Sequence, residues 1–348
     1  MINRGLSILC ATAVCATLLP GIAAAQAPAP QAAQPAADTS SVWTLQVDND
    51  SFGRAVRHAS DRYYSSGLRI GFTSAPSLVP ETLKNLATTL WASGETRLAI
   101  DLTHQMYTPY SIRVRNPPLT ERPYSALAMA NFALVQDGTT QTGYDTRSTM
   151  VLGLGVVGPF AGGKGVQNNF HELIGQRRAL GWNTQLRNEP IIQLTSERTW
   201  RVPIYSAFGI ETDALPTLTA SVGNLRTYLA TGIAIRLGQG LQSDYGPAGL
   251  RPSRTGGDYY RQVRPLAWYV FVGADGRAVA RDLTLEGNTF TNSRSVRKVP
   301  FIGEFHGGFA ILAHGVRLTY THRLTTQEYR GQRGGLHQVG SLALSVRF

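Results

Sequence analysis

The chain has 348 residues, 36 of them glycine, and a formal net charge of +11 at pH 7. Its two cysteines, Cys10 and Cys15, both lie near the N-terminus, so the chain that follows has no thiol for a disulfide, a thiolate zinc site or a cysteine nucleophile. From Val42 onward no stretch approaches the roughly 20 consecutive apolar residues that a membrane-spanning helix requires.

Residues 1–25 have the pattern of a secretory signal peptide. Arg4 provides a positive start, residues 6–19 are apolar, and three alanines at 23–25 form a small-residue cleavage site. The apolar part is too short to cross a membrane. Residues 26–41, rich in proline, alanine and glutamine, predict a short flexible tether. We therefore expect an exported protein whose folded domain is residues 42–348.

Alternation with a period of two residues recurs through this domain and predicts β-strands. In the C-terminal sequence SLALSVRF, Leu342, Leu344, Val346 and Phe348 face one way, while small and polar residues face the other. This pattern suits a lipid-facing surface and a polar lumen. A soluble sandwich can also end on such a strand, but the signal peptide, the lack of cysteine and the terminal phenylalanine favour an outer-membrane barrel.

The alternating stretches give a count of 13 or 14 strands. They lie at 42–47, 67–73, 97–104, 124–135, 148–156, 189–200, 204–211, 217–222 (the weakest), 228–237, 266–273, 279–285, 301–312, 316–324 and the C-terminus. A membrane leaves no strand edge unpaired, so we expect an all-β, closed antiparallel barrel. With the N-terminus in the periplasm, segments 49–63 and 158–187 both fall on the extracellular rim. Segments 137–144 and 274–277 predict short periplasmic turns, and Leu83, Leu86 and Leu90 predict a small periplasmic helix within 76–95.

The basic charge indicates an anionic partner. For an exported Gram-negative protein we expect lipopolysaccharide, and not nucleic acid, to be that partner; a generic basic surface is the alternative. We expect a monomer.

The exit of the first strand, LQVDNDSFGR, concentrates oxygen ligands. Asp48, Asn49 and Asp50 lie where the strand meets the rim, and clustered hard oxygens suit calcium. Ordinary turn chemistry is the alternative explanation. Ser65 and Ser66, at the start of the second strand, are expected opposite Asn49 and Asp50.

Segment 158–182 has a glycine-rich start followed by a helical pattern. Val166, Phe170, Leu173 and Ile174 form an apolar stripe, and Gln167 and His171, four residues apart, share another face. Arg178 is expected near that face, at the C-terminal end of the helix, where the helix dipole favours a cation. A loop histidine is otherwise usually a solvated side chain. His104, His306, His314 and His322 lie on predicted strands, where we expect polar packing in the lumen.

Several motifs together resemble the outer-membrane lipid A 3'-O-deacylase family. They are the strand ending in Asn49-Asp50, DRYYSSG (61–67), HQMYTP (104–109), RPY (122–124), the run from Gly158-Pro159 through Gln167 and His171 to GWNTQ (181–185), and SVGN (221–224). The resemblance covers essentially the whole exported chain. It implies a 12-stranded barrel and an active site containing Asn49, Asp50, Ser65, Gln167 and His171. The basic residues that the family uses near strand 3 have no clear match in HQMYTP.

The resemblance leads to a hypothesis of calcium-dependent ester hydrolysis. His171 acts as general base on water. Asp50, Asn49 and Ser65 hold Ca²⁺, which polarises the ester carbonyl. Gln167 orients the substrate or stabilises the oxyanion, and Arg178 binds a lipid A phosphate.

Three alternatives remain open at this point. A serine route lacks a G-x-S-x-G motif, and no histidine stands beside Ser65 in the sequence. The substrate of a hydrolase could be another envelope lipid. A non-catalytic barrel has no need of both Asp50 and the Gln167/His171 pair, and so small a barrel has a lumen filled by side chains.

Overall fold

The computed structural model describes residues 38–52, 61–246 and 258–348. Twelve antiparallel strands form one closed barrel in which each strand pairs with its sequence neighbours and β1 pairs with β12. The strands are β1 Val42–Asn49, β2 Tyr63–Thr73, β3 Gly94–Thr108, β4 Ser125–Thr139, β5 Asp145–Val157, β6 Glu189–Ala207, β7 Ile210–Gly223, β8 Arg226–Gln239, β9 Leu266–Asp282, β10 Phe301–Ala313, β11 Val316–Thr325 and β12 His337–Arg347. Three helices join them, α1 Glu81–Trp91, α2 Gly163–Leu173 and the short α3 Leu283–Glu286. None of the helices in the described part of the chain is long and apolar enough to span a membrane.

The predicted period of two residues is confirmed along the strands. On β12, Leu342, Leu344 and Val346 are each more than 40% exposed on the outer wall, whereas Ala343 and Ser345 are buried in the lumen. Because the sheet is closed, every strand is hydrogen-bonded to a neighbouring strand on each side. A hydrocarbon environment requires this, since it offers no water to pair with free peptide groups.

The structure corrects the strand count from 13 or 14 to 12. Segment 204–211 is the hairpin between β6 and β7, where Phe208 (φ 53°) and Gly209 (φ 78°) form the turn, and segment 217–222 is the second half of β7. Positive φ at both turn residues is the geometry of a tight two-residue hairpin, and phenylalanine is an unusual residue for it. Segments 266–273 and 279–285, predicted as two strands, belong to the single strand β9, except that the last residues of the second segment form the start of α3. The turn predicted at 274–277 is therefore wrong: Asp275 and Gly276 pair on both sides, with β8 and with β10.

At the end of the barrel that carries Val42 and Arg347, the predicted helix is present as α1. The last residues of the predicted tether are not loose there. Ser41 exchanges two backbone hydrogen bonds with Phe348, and Asp38 accepts hydrogen bonds from Arg347 and Tyr259. Residues from Asp38 onward thus pack with the barrel, and the rest of the predicted tether and the predicted signal peptide lie outside the described residues.

Ion pairs fill much of the lumen. Arg236 pairs with Asp213 and Asp244, and Arg317 pairs with Asp244 and Asp258, all with almost no exposure. Each guanidinium is held by more than one oxygen, which offsets the cost of its burial. The prediction that side chains fill the lumen is thereby confirmed for the described residues.

Candidate functional site

Helix α2 lies against the outside of the barrel wall, and a glycine permits the close approach. A Cβ on Gly163 would lie 2.7 Å from the ring of Trp182. Trp182 is 1% exposed and packs on Tyr124 with ring centroids 5.0 Å apart. The first turn of the helix therefore packs directly on the Trp182 and Tyr124 rings, and this close contact is possible because Gly163 has no side chain.

A cleft of about 720 Å³ separates α2 from the wall. Described residues of segments 49–63 and 158–187 border it together, which confirms the prediction that the two segments lie at the same end of the barrel. On the wall side the cleft is lined by outward-facing strand residues. On the helix side it is lined by the polar pair Gln167 and His171 and by part of the apolar stripe, and the β3–β4 connection forms the remaining border. The lining residues include Val47, Asn49, Asp61, Ser66, Leu68, His104, Met106, Ile112, Arg113, Val166, Gln167, Phe170, His171 and Ile174.

The amphipathic helix is oriented with its polar pair inward. Gln167 and His171 are 3% and 4% exposed, whereas Val166, Phe170 and Ile174 are each about half exposed. The apolar side chains thus form the outer lip of the cleft, above the apolar outer wall of the barrel.

The β1–β2 hairpin brings the predicted oxygen donors together. Asn49 pairs with Ser66, and the backbone N–H of Asp50 donates to the Ser65 carbonyl at 3.2 Å. The Asp50 carboxylate, 1% exposed, accepts a hydrogen bond from the Arg62 backbone N–H at 3.1 Å. The predicted cross-hairpin placement of these residues is confirmed.

Ser65 differs from its neighbour Ser66 in that it does not line the cleft. Its hydroxyl is 2.7 Å from the Thr108 hydroxyl, which in turn donates to the Asp61 carbonyl. Since Thr108 has one proton and gives it to Asp61, Ser65 is the donor to Thr108. This chain of hydrogen bonds ties the Asp61 backbone to the barrel wall.

Both ring nitrogens of His171 have partners. Nδ1 lies 2.9 Å from the Arg177 carbonyl, which can only accept, so Nδ1 carries a proton. Nε2 lies 2.9 Å from the Asp61 carboxylate. The hydrogen bond with Asp61 raises the pKa of His171; burial opposes this rise, and the Arg177 carbonyl adds to it. The arrangement shown therefore stabilises the imidazolium form.

The amide of Gln167 has a fixed orientation. Trp182 Nε1–H donates to its Oε1 at 2.7 Å, so its NH₂ group must be the other terminal atom. That nitrogen is buried and has no hydrogen-bond partner among the described residues. An unsatisfied buried donor at a cleft is costly unless a bound group accepts from it.

The predicted position of Arg178 is wrong. Helix α2 ends at Leu173, so Arg178 is outside it, and its exposed side chain pairs with Glu172 at 2.6 Å. The basic residue that borders the cleft is Arg113, which donates to the carbonyls of Arg177 and Arg178. The strand histidines also depart from the prediction: the pairing and burial patterns direct His306 into the lumen, but His104 and His322 outward, and His314 lies in a hairpin turn.

The donor set at the hairpin fits a hard cation. Asp50, Asn49 and Ser65 are neighbours along and across the hairpin backbone, and as ligands they offer carboxylate, amide and hydroxyl oxygens without sulfur or imidazole nitrogen. Calcium prefers such oxygen ligands. The Asn49 Oδ1 accepts a hydrogen bond from the Ser51 backbone N–H at 2.7 Å, which is the turn contact that the alternative explanation predicts.

Two residues of the site were missed by the sequence reasoning. Asp61 and Trp182 lie inside motifs noted above, DRYYSSG and GWNTQ, yet nothing in their local pattern indicates that they contact His171 and Gln167. The Asp61–His171 contact joins segments that are distant in the sequence, whereas the Trp182–Gln167 contact spans 15 residues, between α2 and the segment that follows it.

Comparison with known proteins identifies the family. The sequence profile described as "Outer membrane protein LpxR" matches residues 9–348. The solved structure of LpxR from Salmonella typhimurium superposes with a TM-score of 0.72 at 22% identity, covering 88% of this chain and 99% of that one. The beta domain of the Bordetella autotransporter BrkA is a more distant likeness, with a TM-score of 0.45 at 12% identity and coverage of 89% and 100%. No curated protein sequence matches the chain. The profile match spans nearly the whole sequence, and the chain therefore belongs to the LpxR family of outer membrane proteins.

Proposed function

We propose that this protein is a lipid A deacylase that hydrolyses the ester-linked acyl (acyloxyacyl) group at the 3'-position, with Ca²⁺ as cofactor and His171 as general base. The observation that carries the proposal is the cleft itself. It brings an imidazole and a directed amide donor together on the outer wall of an outer-membrane barrel, beside the β1–β2 hairpin, whose Asn49 also borders the cleft.

The position and lining of the cleft favour a lipid substrate. Val47, Leu68 and Met106 belong to the barrel's outer wall, so an acyl chain can enter from the membrane without leaving apolar surroundings. Arg113 at the border, together with the net charge of +11, favours an anionic head group such as that of lipid A.

We place the site at the extracellular rim. The cleft lies at the barrel end opposite to the end that carries Val42 and Arg347. At the Val42 end the β4–β5, β6–β7 and β10–β11 connections are short turns, and the β2–β3 and β8–β9 connections are longer. Outer-membrane barrels have short periplasmic turns and longer extracellular loops.

The proposed reaction begins with a change at His171. Nε2 must exchange the Asp61 carboxylate for a water molecule, while Nδ1–H stays bonded to the Arg177 carbonyl and fixes the ring. Nε2 then accepts a proton from the water as the water oxygen attacks the ester carbonyl carbon. The same proton passes to the departing alkoxide when the ester C–O bond breaks, and the products are a fatty acid and a free hydroxyl group.

Gln167 stabilises the charge that develops on the carbonyl oxygen. Its Nε2 has hydrogen-bonding capacity unused in the described structure, and Trp182 holds it in the donor orientation. Asp50, Asn49 and Ser65 would hold Ca²⁺, and the bound ion would supply Lewis-acid polarisation of an ester carbonyl.

Mass spectrometry of lipid A tests the proposal directly. Cells expressing the wild type, His171→Ala or His322→Ala are grown with calcium or with a chelator, and barrel insertion is checked in each. His322 is a control of the same residue type, because it faces outward on β11 and does not border the cleft. We expect loss of the 3'-acyl group only with calcium and only in the wild type and His322→Ala.

Other outcomes are equally informative. Intact lipid A together with calcium-dependent release of fatty acid from phospholipid would assign a different envelope lipid as substrate. Unchanged lipids in every sample, with the barrel inserted, would refute a hydrolytic role.

A further inference from the structure

A second cluster of ligating side chains lies inside the lumen, away from the cleft. Asp275 on β9 and Glu304 and His306 on β10 place one oxygen or nitrogen atom each so that all three atoms are within 4.8 Å of one another. Asp275 Oδ2 is 3.2 Å from His306 Nδ1. We propose that these three side chains form a binding site for a divalent transition-metal ion, independent of the hydrolytic site.

The register of the barrel assembles the cluster. Asp275 and Glu304 are directly opposite each other, and His306 follows Glu304 by two residues on the same lumen face. Two neighbouring glycines leave space for it: a Cβ on Gly232 would lie 2.7 Å from Cγ of Asp275, and one on Gly273 would lie 2.7 Å from Cε1 of His306. Larger residues at these positions would fill the volume that the ligands occupy.

Charge favours a cation here. The side chains of Asp275, Glu304 and His306 are only 7%, 3% and 8% exposed, so two carboxylates lie side by side with little water. The Arg277 guanidinium forms an ion pair with Glu304 at 3.8 Å. A divalent ion held by the three side chains would add positive charge next to both carboxylates, which favours its binding in this buried position.

The cavity and the donor types indicate which ion fits. Asp275 and His306 border an internal cavity of about 10 Å³, close to the volume of one water-sized sphere. Glu304 borders a larger lumen cavity of about 80 Å³. One imidazole with two carboxylates suits Zn²⁺ or Mn²⁺, whereas calcium prefers an all-oxygen set. Ligand bonds of about 2.0–2.2 Å require the side chains to draw together by small rotations. The ion would then link β9 to β10.

Metal content of the full-length protein, purified from membranes without a histidine tag, tests the proposal. All samples carry His171→Asn, so that the cleft imidazole cannot contribute. After chelator treatment, Zn²⁺ is restored, free metal is removed and bound metal is measured; Co²⁺ serves as a second probe through its visible absorption. We expect one ion per chain, with affinity reduced at least about tenfold by His306→Asn or by Glu304→Gln. Affinity should be unchanged by His322→Asn.

Glu304→Gln keeps the shape of the residue it replaces, His306→Asn is smaller and polar, and heat-modifiable mobility reports barrel closure in both variants. Absence of bound Zn²⁺ and Co²⁺ from the reference protein would overturn the proposal. So would full retention of the metal in a folded His306→Asn barrel. Neither readout uses lipid hydrolysis, so the lumen site and the proposed deacylase function can fail separately.

Discussion

Replacing Gln167 with methionine removes the amide donor that we propose for the oxyanion while keeping a side chain of similar length. In the structure, Gln167 Nε2 is buried at the cleft without a hydrogen-bond partner among the described residues, and Trp182 fixes its direction. If the donor acts on the developing oxyanion, its loss should slow the chemical step and leave substrate binding nearly unchanged.

The expected magnitude follows from the role of the donor. Removing one donor from an oxyanion hole typically costs about 100- to 1000-fold in kcat, or about 2.7–4 kcal/mol. The lost hydrogen bond from Trp182 costs about 1 kcal/mol of folding stability, a separate effect. Gln167→Glu separates the two effects at pH 8, where an ionised carboxylate still accepts from Trp182 but cannot donate. Both variants should therefore be slow, although only the methionine variant should lose the Trp182 bond.

The assay is release of fatty acid from purified lipid A in detergent with calcium, with kcat and KM determined for each variant. Asn169→Met is the matched control, because Asn169 lies exposed on the same helix and does not border the cleft. A Gln167→Met enzyme with kcat within a factor of three of wild type would refute the assigned role. A slow Gln167→Met with a fully active Gln167→Glu would show that Trp182 anchoring, and not donation, is what matters.

Three further predictions concern the base, the metal and the helix. The Asp61 carboxylate raises the pKa of His171, and hydrolysis needs the neutral imidazole, so wild-type activity should increase as pH rises through that pKa. Asp61→Asn should move the acid limb of the kcat/KM–pH profile to lower pH. An acid limb that does not move would contradict the contact between Asp61 and His171. The ion pair adds stability that is fully present below the ordinary histidine pKa of about 6.5 and is lost as pH rises through the raised value. Asp50→Ala should abolish the response of activity to added calcium in a titration, and a variant that calcium still activates would exclude Asp50 as a ligand. Gly163→Leu should displace α2, lower the free energy of unfolding by about 1–3 kcal/mol and lower activity in a closed barrel. Gly165→Leu should do neither, because a Cβ at Gly165 meets no atom within 4 Å. Equal activity of the two variants, with barrel closure checked by heat-modifiable mobility, would contradict the packing argument.

Strand identity was predictable wherever the two faces of the wall differ. Leu342, Leu344 and Val346 alternate with small polar residues because one face meets lipid and the other meets the lumen. The predicted ends of the strands were wrong where the contrast between the two faces is weak. Asp275-Gly276 reads as a turn, but lumen neighbours accept the aspartate and the strand continues through it. Phe208-Gly209 forms a turn although phenylalanine at positive φ gives no turn signal.

The site was predictable in composition more than in arrangement. The spacing of Gln167 and His171 placed both on one helix face, and the hairpin placed Asn49 opposite Ser66. The sequence suggested that the apolar stripe of α2 and its polar face had separate environments, but not that the polar face would be the buried one. That orientation results from the packing of α2 on Trp182, beside the apolar outer surface of the barrel wall.

The sequence by itself determined the barrel class, the helix in the long connection and the residue types available for hydrolysis, because these depend on periodicity and on neighbours within a few positions. Tertiary structure alone decided that Asp61 meets His171, that Trp182 directs Gln167, that Arg113 and not Arg178 borders the cleft, and that Asp275, Glu304 and His306 converge in the lumen. The first three depend on how the loops settle on the rim, and the last depends on the register between strands. Such contacts depend on long-range packing and on the pairing of whole strands, which no local pattern encodes.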